Sequence, residues 1–257
     1  GQNNHYSIPI YSGNTTYEYL HIVILRKIPN FSDCARTKLC VNLHQLIYNR
    51  YFMDKIQKYK PADKMSDLIC DNYSLLQVMS RFGLSLGFGD KTVKEVCQMN
   101  GVDYRTFLTV VNFVEEGYSR MNDDSDDISI PALVDYLRQS HIYFLDFSLP
   151  SIRRKLLDSI DYSEKEVVVL MLNFFDSYVS EVRKHMEYEE KTVFKYVDDL
   201  LHNQAPKNYQ ISTFSKHHDQ ISEKLTELKN IIIKYYPSGS SNELNGVLFD
   251  IFNCEHE

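Results

Sequence analysis

The longest hydrophobic pattern lies in the second half of the chain, where apolar side chains recur at helical spacing. It predicts four helical segments, at residues 131–158, 164–203, 212–236 and from 242 to the end of the sequence. Pro150 lies inside the first segment and should kink it. Because long helices with short connections pack as antiparallel neighbours, the pattern predicts an all-α fold with an up-down four-helix bundle.

A shorter helical pattern precedes the bundle. Apolar residues follow helical spacing over residues 67–82, and glycines end that helix. A second helix is expected at Val93–Met99, where Asn100-Gly101 provides a left-handed end. A third is expected at Tyr104–Glu116, with Asp103 as its N-cap. These segments predict a compact three-helix module.

These changes in pattern divide the chain into four parts. Residues 1–52 carry no sustained helical period and form an N-terminal extension. They are either a foreign segment before an ordinary protein start at Met53 or a genuine, poorly patterned arm. Residues 53–120 form the small helical domain, and residues 121–130 form an acidic linker. Residues 131–257 form the bundle.

Composition narrows the class of protein. The chain has 257 residues, 43% of them hydrophobic and 25% charged, which is typical of a globular protein. The net charge of −7 argues against nucleic acid or an anionic membrane surface as a partner. Five cysteines, odd in number and without a C-x-x-C motif, indicate a reducing cytoplasm. No apolar run approaches the length of a membrane span.

The most informative pair of polar residues is His185 and Glu189, which lie four residues apart in the second bundle helix. This spacing puts both on one face, about 5.4 Å apart along the helix. An imidazole and a carboxylate so placed can ligate one metal ion or a closely spaced pair. Their nitrogen and oxygen donors suit iron, zinc or manganese.

Two further histidines are predicted to face the bundle interior. His141, in the first helix, has leucines four residues away on either side, and His218, in the third, precedes apolar residues at positions i+3 and i+7. Each taken alone is more commonly an ordinary buried histidine. Together with His185 and Glu189, however, they supply one inward histidine from each of three helices, as metal sites in four-helix bundles do.

Specific motifs add a resemblance to a known family. In the bundle they are Ser140-His141, His185-Met-Glu-Tyr-Glu189 and His218-Asp219. In the small domain they are Tyr73-x-Leu-Leu-x-Val-x-x-Arg-Phe82-Gly and Gly87-Phe-Gly-Asp-Lys-Thr-Val93. In this order they resemble the iron–sulfur cluster repair di-iron proteins, a branch of the hemerythrin-like (HHE) superfamily.

The resemblance implies a non-haem di-iron centre with four histidines and two bridging glutamates. His141, His185 and His218 match three of the histidines, and Glu189 matches one bridging glutamate. It also implies that the chain is a metal-binding repair or stress-response protein rather than an enzyme. The partners implied are iron–sulfur client proteins or small diatomic ligands such as O2 and NO, and the chain could form a homodimer.

Two departures from the family qualify this expectation. Relatives carry a Cys-Cys pair in the small domain where this chain has Leu86-Gly87. The sequence ends at Cys254-Glu-His-Glu257, just before the expected second H-x-x-x-E, so we expect a truncated fourth helix and an incomplete or empty iron site. Two alternatives therefore stay open: a non-enzymatic O2, NO or iron sensor that regulates an attached or partner domain, and a metal-free helical interaction module.

Overall fold

The structure is a computed structural model that describes residues 58–116, 128–160, 165–202, 224–236 and 241–256. Every regular element in these ranges is helical, apart from an isolated bridge between Lys64 and Thr92. The prediction of an all-α fold is therefore confirmed. None of the described helices combines the length and apolar character that crossing a bilayer requires. The predictions for residues 1–52 lie outside the described ranges.

The N-terminal unit contains one more helix than the sequence predicted. Its helices are α1 (Met65–Asp71), α2 (Leu75–Arg81), α3 (Val93–Met99) and α4 (Tyr104–Glu116). The single helix predicted over residues 67–82 is wrong because Asn72 is extended, with φ −143° and ψ 101°. Its side-chain oxygen accepts hydrogen bonds from the backbone N–H (3.0 Å) and hydroxyl (2.6 Å) of Ser74. This local bonding competes with the helix and separates α1 from α2.

Both predicted ends of α3 and the predicted start of α4 are confirmed. Thr92 and Glu95 form a reciprocal capping box at the start of α3. Gly101 follows α3 with φ +69°, a conformation that glycine adopts without steric cost. Asp103 caps α4 by accepting a hydrogen bond from the Thr106 N–H at 3.0 Å. Local side-chain chemistry therefore sets these boundaries.

In the bundle, each of the first two predicted helices is two α-helices joined by a π-helical turn. Helices α5 (Ile130–Ile142) and α6 (Leu149–Ser159) flank the turn Tyr143–Ser148. Helices α7 (Lys165–Tyr188) and α8 (Phe194–Leu201) flank the turn Glu189–Val193. The third predicted helix is described only over residues 224–235, of which 224–230 are α-helical (α9) and Ile231–Tyr235 form a third π-helical turn. The fourth, α10, spans Asn242–His256.

The first π-helical turn lies just before Pro150, and the kink expected at this proline stays a prediction. Pro150 occupies the first turn of α6, directly after the turn Tyr143–Ser148. Proline has no N–H and its ring clashes with the carbonyl four residues earlier. An extra residue in the preceding turn is one way in which a helix accommodates such a break. Helix α6 continues beyond Pro150. It contacts α10 through an ion pair in which Lys155 Nζ lies 2.6 Å from Asp250 Oδ2.

Two hydrophobic cores hold the described residues together. The first core combines side chains of α1 to α4 with side chains of α5 and α8, whereas the second lies among the bundle helices. Phe82 illustrates the junction, since its ring centroid lies 5.4 Å from that of Phe107 and 4.7 Å from that of Tyr136. The division into domains at residues 121–130 stays a prediction, but the N-terminal unit and one part of the bundle share a core.

Candidate metal centre

Three of the four predicted ligands meet between α5 and α7. His141 lies in α5, His185 lies in α7, and Glu189 opens the π-helical turn that follows α7; their exposed fractions are 4%, 9% and 0%. Glu189 Oε2 is 2.9 Å from His141 Nε2, and Glu189 Oε1 is 2.9 Å from His185 Nε2. One carboxylate therefore lies between two imidazoles, with one oxygen toward each. The fourth predicted ligand, His218, lies outside the described residues.

A fourth side chain, Glu190, completes the surroundings of His141. Its Oε1 atom is 2.9 Å from His141 Nδ1, so successive glutamates contact the two nitrogens of one imidazole. Successive side chains of an α-helix point about 100° apart. Glu189 and Glu190 instead begin a π-helical turn, and both of their carboxylates contact the same ring. Turns of this kind occur frequently at functional sites.

Two residues that the sequence reasoning did not assign to the site hold this arrangement in place. Arg138 Nε lies 3.3 Å from Glu190 Oε2, and the Phe194 ring stacks on His141 with centroids 5.4 Å apart and planes at 13°. The Arg138 guanidinium also lies 5.6 Å from the Phe194 ring. Helical spacing was the available signal, because Arg138 precedes His141 by three residues and Phe194 follows Glu190 by four.

The donor set fits part of a metal site. Ligand atoms bound at about 2.1 Å and at right angles on one ion are about 3 Å apart, which both nitrogen–oxygen contacts match. A carboxylate whose oxygens face different imidazoles also suits a bridge between two ions. Among the described residues, however, no group of three or more His, Cys, Asp or Glu side chains could hold a metal ion as it stands. Further ligands are needed to complete the site.

A comparison with protein-family models gave a match that covers most of the bundle. Residues 132–250 match the family model described as the hemerythrin HHE cation binding domain. This range includes His141, His185, Glu189 and the undescribed His218, and it excludes the N-terminal unit. The fold of the bundle is therefore hemerythrin-like, and the match indicates a cation-binding domain. Searches of curated proteins and of solved structures gave no significant match.

The finer sequence predictions are not tested by this match. The resemblance to the iron–sulfur cluster repair branch and the choice of iron remain predictions. The expected absence of a fourth histidine and a second bridging glutamate also stays a prediction, and the side chains of residues 255–257 lie outside the described part of the chain. The structure therefore supplies the relative positions of His141, His185 and Glu189.

We expect Glu190→Gln to weaken metal binding by about 10- to 100-fold while leaving the helices intact. The neutral amide no longer draws the proton of His141 Nδ1 toward a negative charge, and residues that orient metal-ligating histidines have effects of this size. Competition with a chromophoric chelator measures the affinity. Glu187→Gln is the matched control, because Glu187 is exposed and pairs with Lys191 at 3.1 Å. Equal affinities in the two variants would contradict this role of Glu190.

The N-terminal unit contains two cysteines with contrasting environments. Cys70 is exposed, whereas Cys97 is fully buried and burial raises its pKa to about 12. Because the thiolate is the reactive species, iodoacetamide at pH 8 should modify Cys70 and leave Cys97 unmodified in the folded chain. Mass spectrometry of the digested protein measures this, with labelling in denaturant as the control. Equal labelling of both residues in the folded chain would show that the first core opens readily.

Proposed function

We propose that this chain is a non-haem iron-binding protein that acts in iron–sulfur cluster repair during oxidative or nitrosative stress. The observation that carries the proposal is the buried Glu189 carboxylate, with a histidine nitrogen 2.9 Å from each oxygen. His218 completes the proposed ligand set as the contribution of the third helix. The proposed setting is a reducing cytoplasm, and the proposed partners are iron–sulfur proteins with damaged clusters.

Each residue of the site has a distinct task in this proposal. His141 and His185 provide neutral nitrogen donors, and Glu189 provides one oxygen toward each of them. Glu190 holds the Nδ1 atom of His141, which leaves Nε2 directed at Glu189. Bound iron would supply a centre for O2, NO or peroxide, or a store of iron for a damaged cluster. Burial of the three ligands keeps bulk water away from them.

A sensor is the second candidate, and the shared first core favours it. Side chains of the N-terminal unit pack directly against α5, the helix that carries His141, so a change at the metal site can reach that unit. In this case ligand binding would alter contacts with a partner, and no iron would be delivered. The metal-free interaction module would require that none of the buried donors binds an ion.

Reactivation of a damaged iron–sulfur enzyme separates these candidates. The iron-loaded full chain, prepared without oxygen, is mixed with an enzyme whose cluster has been damaged by peroxide or by NO. A repair protein restores activity, whereas a sensor binds NO with a change in its optical spectrum and restores none. His185→Ala should abolish either response. Lys184→Ala is the matched control, since Lys184 is the exposed neighbour that pairs with Glu181 at 3.1 Å. Absence of both responses in the wild type would overturn the proposal.

A further inference from the structure

We propose that Arg81 is a positioning residue through which the N-terminal unit controls metal affinity in the bundle. The inference rests on the proposed metal site but concerns a residue outside the matched family range. Of the lysines and arginines that the structure describes, Arg81 alone is buried, with 7% of its surface exposed. It ends α2, at the junction between the N-terminal unit and the bundle. Burial of a guanidinium at such a place is costly and calls for specific contacts.

Aromatic rings of the bundle provide these contacts. The guanidinium carbon lies 4.7 Å from the ring centroid of Tyr143, 5.2 Å from that of Phe144 and 6.0 Å from that of Tyr136. Its Nη1 atom also donates a hydrogen bond of 3.4 Å to the Tyr136 hydroxyl. A planar guanidinium stacks on aromatic faces in a way that an ammonium group does not. Arg81 is therefore attached to three rings that α5 and its π-helical turn supply.

The residues that carry these rings flank His141 in the sequence. Tyr136 lies five residues before His141 in α5, and Tyr143 begins the π-helical turn two residues after it. Tyr136 belongs to the first core and Phe144 to the second, so Arg81 contacts both cores. One side chain of the N-terminal unit thus spans the segment in which a proposed metal ligand lies.

The π-helical turn explains why this contact would matter for metal binding. A π-helical turn contains one residue more than an α-helical turn, so its loss changes the phase between the flanking helices by about 100°. Helix α6 is attached to α10 through Lys155 and Asp250. A change in the turn would therefore rotate α5 and move His141 Nε2 away from Glu189. By holding Tyr143 and Phe144, Arg81 keeps the two ligands in register.

The test compares Arg81→Met with Arg105→Met in the full chain. The Arg105 guanidinium also lies over an aromatic ring, with its carbon 5.6 Å from the ring centroid of Tyr104. Both residues belong to α4, so this contact does not reach the bundle. Co(II), used as a spectroscopic probe without oxygen, reports affinity. Hydrogen exchange of the metal-free chain reports the stability of the turn at residues 143–148. We expect Arg81→Met to weaken Co(II) binding at least 10-fold and to accelerate exchange in the turn, and Arg105→Met to behave as the wild type.

Two more variants distinguish positioning from general stability. Arg81→Lys keeps the charge without the planar group and should fall between wild type and Arg81→Met. If Arg81→Met does not fold, Tyr143→Leu removes a contacted ring from the other side and should give the same two effects, whereas Tyr143→Phe should not. Wild-type affinity and exchange in Arg81→Met, or in Tyr143→Leu in its place, would overturn the inference. Failure of the wild type to bind Co(II) would instead overturn the proposed metal site. The exchange rates of residues 143–148 in the wild type and in Arg81→Met would then test by themselves whether Arg81 stabilises the turn.

Discussion

Glu189→Ala is expected to reduce metal affinity by more than about 100-fold, beyond the effect of residues that only orient a ligand. The change removes both oxygen donors at once, and with them the group that lies between His141 and His185. It also leaves two buried imidazoles without the carboxylate they contact, which should lower the free energy of unfolding by about 1–3 kcal/mol. Isothermal titration with Fe(II) or Co(II) measures the first effect, and urea denaturation of the metal-free chain measures the second.

Two control variants make this prediction specific to the buried carboxylate. Glu189→Gln keeps the size of the side chain and one oxygen donor but loses the charge, so its affinity should be intermediate. Glu187→Ala removes an exposed carboxylate two residues away and should change neither affinity nor stability by a measurable amount. Wild-type affinity in Glu189→Ala would contradict this prediction, because the metal would then bind elsewhere in the chain.

Phe194→Ala and Phe175→Ala should destabilise the chain by similar amounts but differ in their effect on metal binding. Both rings have 1% exposure, and truncation of a buried phenylalanine costs about 3–5 kcal/mol. Phe194 belongs to the first core and stacks on His141, whereas Phe175 belongs to the second core and packs against Tyr178. Only Phe194→Ala should therefore release the ring of a proposed ligand.

This prediction is measured by urea denaturation together with metal titration under conditions in which both variants remain folded. If either variant is too unstable, the milder substitutions Phe194→Leu and Phe175→Leu preserve the comparison. Equal losses of affinity in the two variants would indicate that metal binding follows overall stability. A loss confined to the Phe194 variant would support the specific role of the stacked ring.

Features set by interactions between residues close in the sequence were predicted more accurately than features set by contacts between distant residues. Val93–Met99 and the start of the helix Tyr104–Glu116 were predicted correctly because caps within four residues define them. The break at Asn72 is equally local, but apolar residues continue in helical phase on both sides of it. Each π-helical turn adds one residue and so shifts the helical phase of the side chains that follow it. A shift of one residue is not visible in hydrophobic periodicity averaged over a long window.

The candidate site shows the same division. His185 lies in α7 and Glu189 begins the turn that directly continues it, so their spacing of four residues alone put them on one face. The approach of His141 depends on how α5 packs against the turn Glu189–Val193 and α8, which the sequence indicated only through inward leucines. The contact between Glu190 and His141 lies at a π-helical turn, and the aromatic contacts of Arg81 lie where the N-terminal unit meets the bundle. Neither of these features leaves a periodic signal in the sequence.

X-ray absorption at the iron edge of the anaerobically iron-loaded full chain tests the central claim most directly. The account predicts a first shell of nitrogen and oxygen donors without sulfur, together with the outer-shell scattering of imidazole. That scattering should decrease in His185→Ala and stay unchanged in Lys184→Ala. A chain that retains no iron, or one whose bound iron lacks imidazole scattering, would contradict a metal centre built on His141, His185 and Glu189.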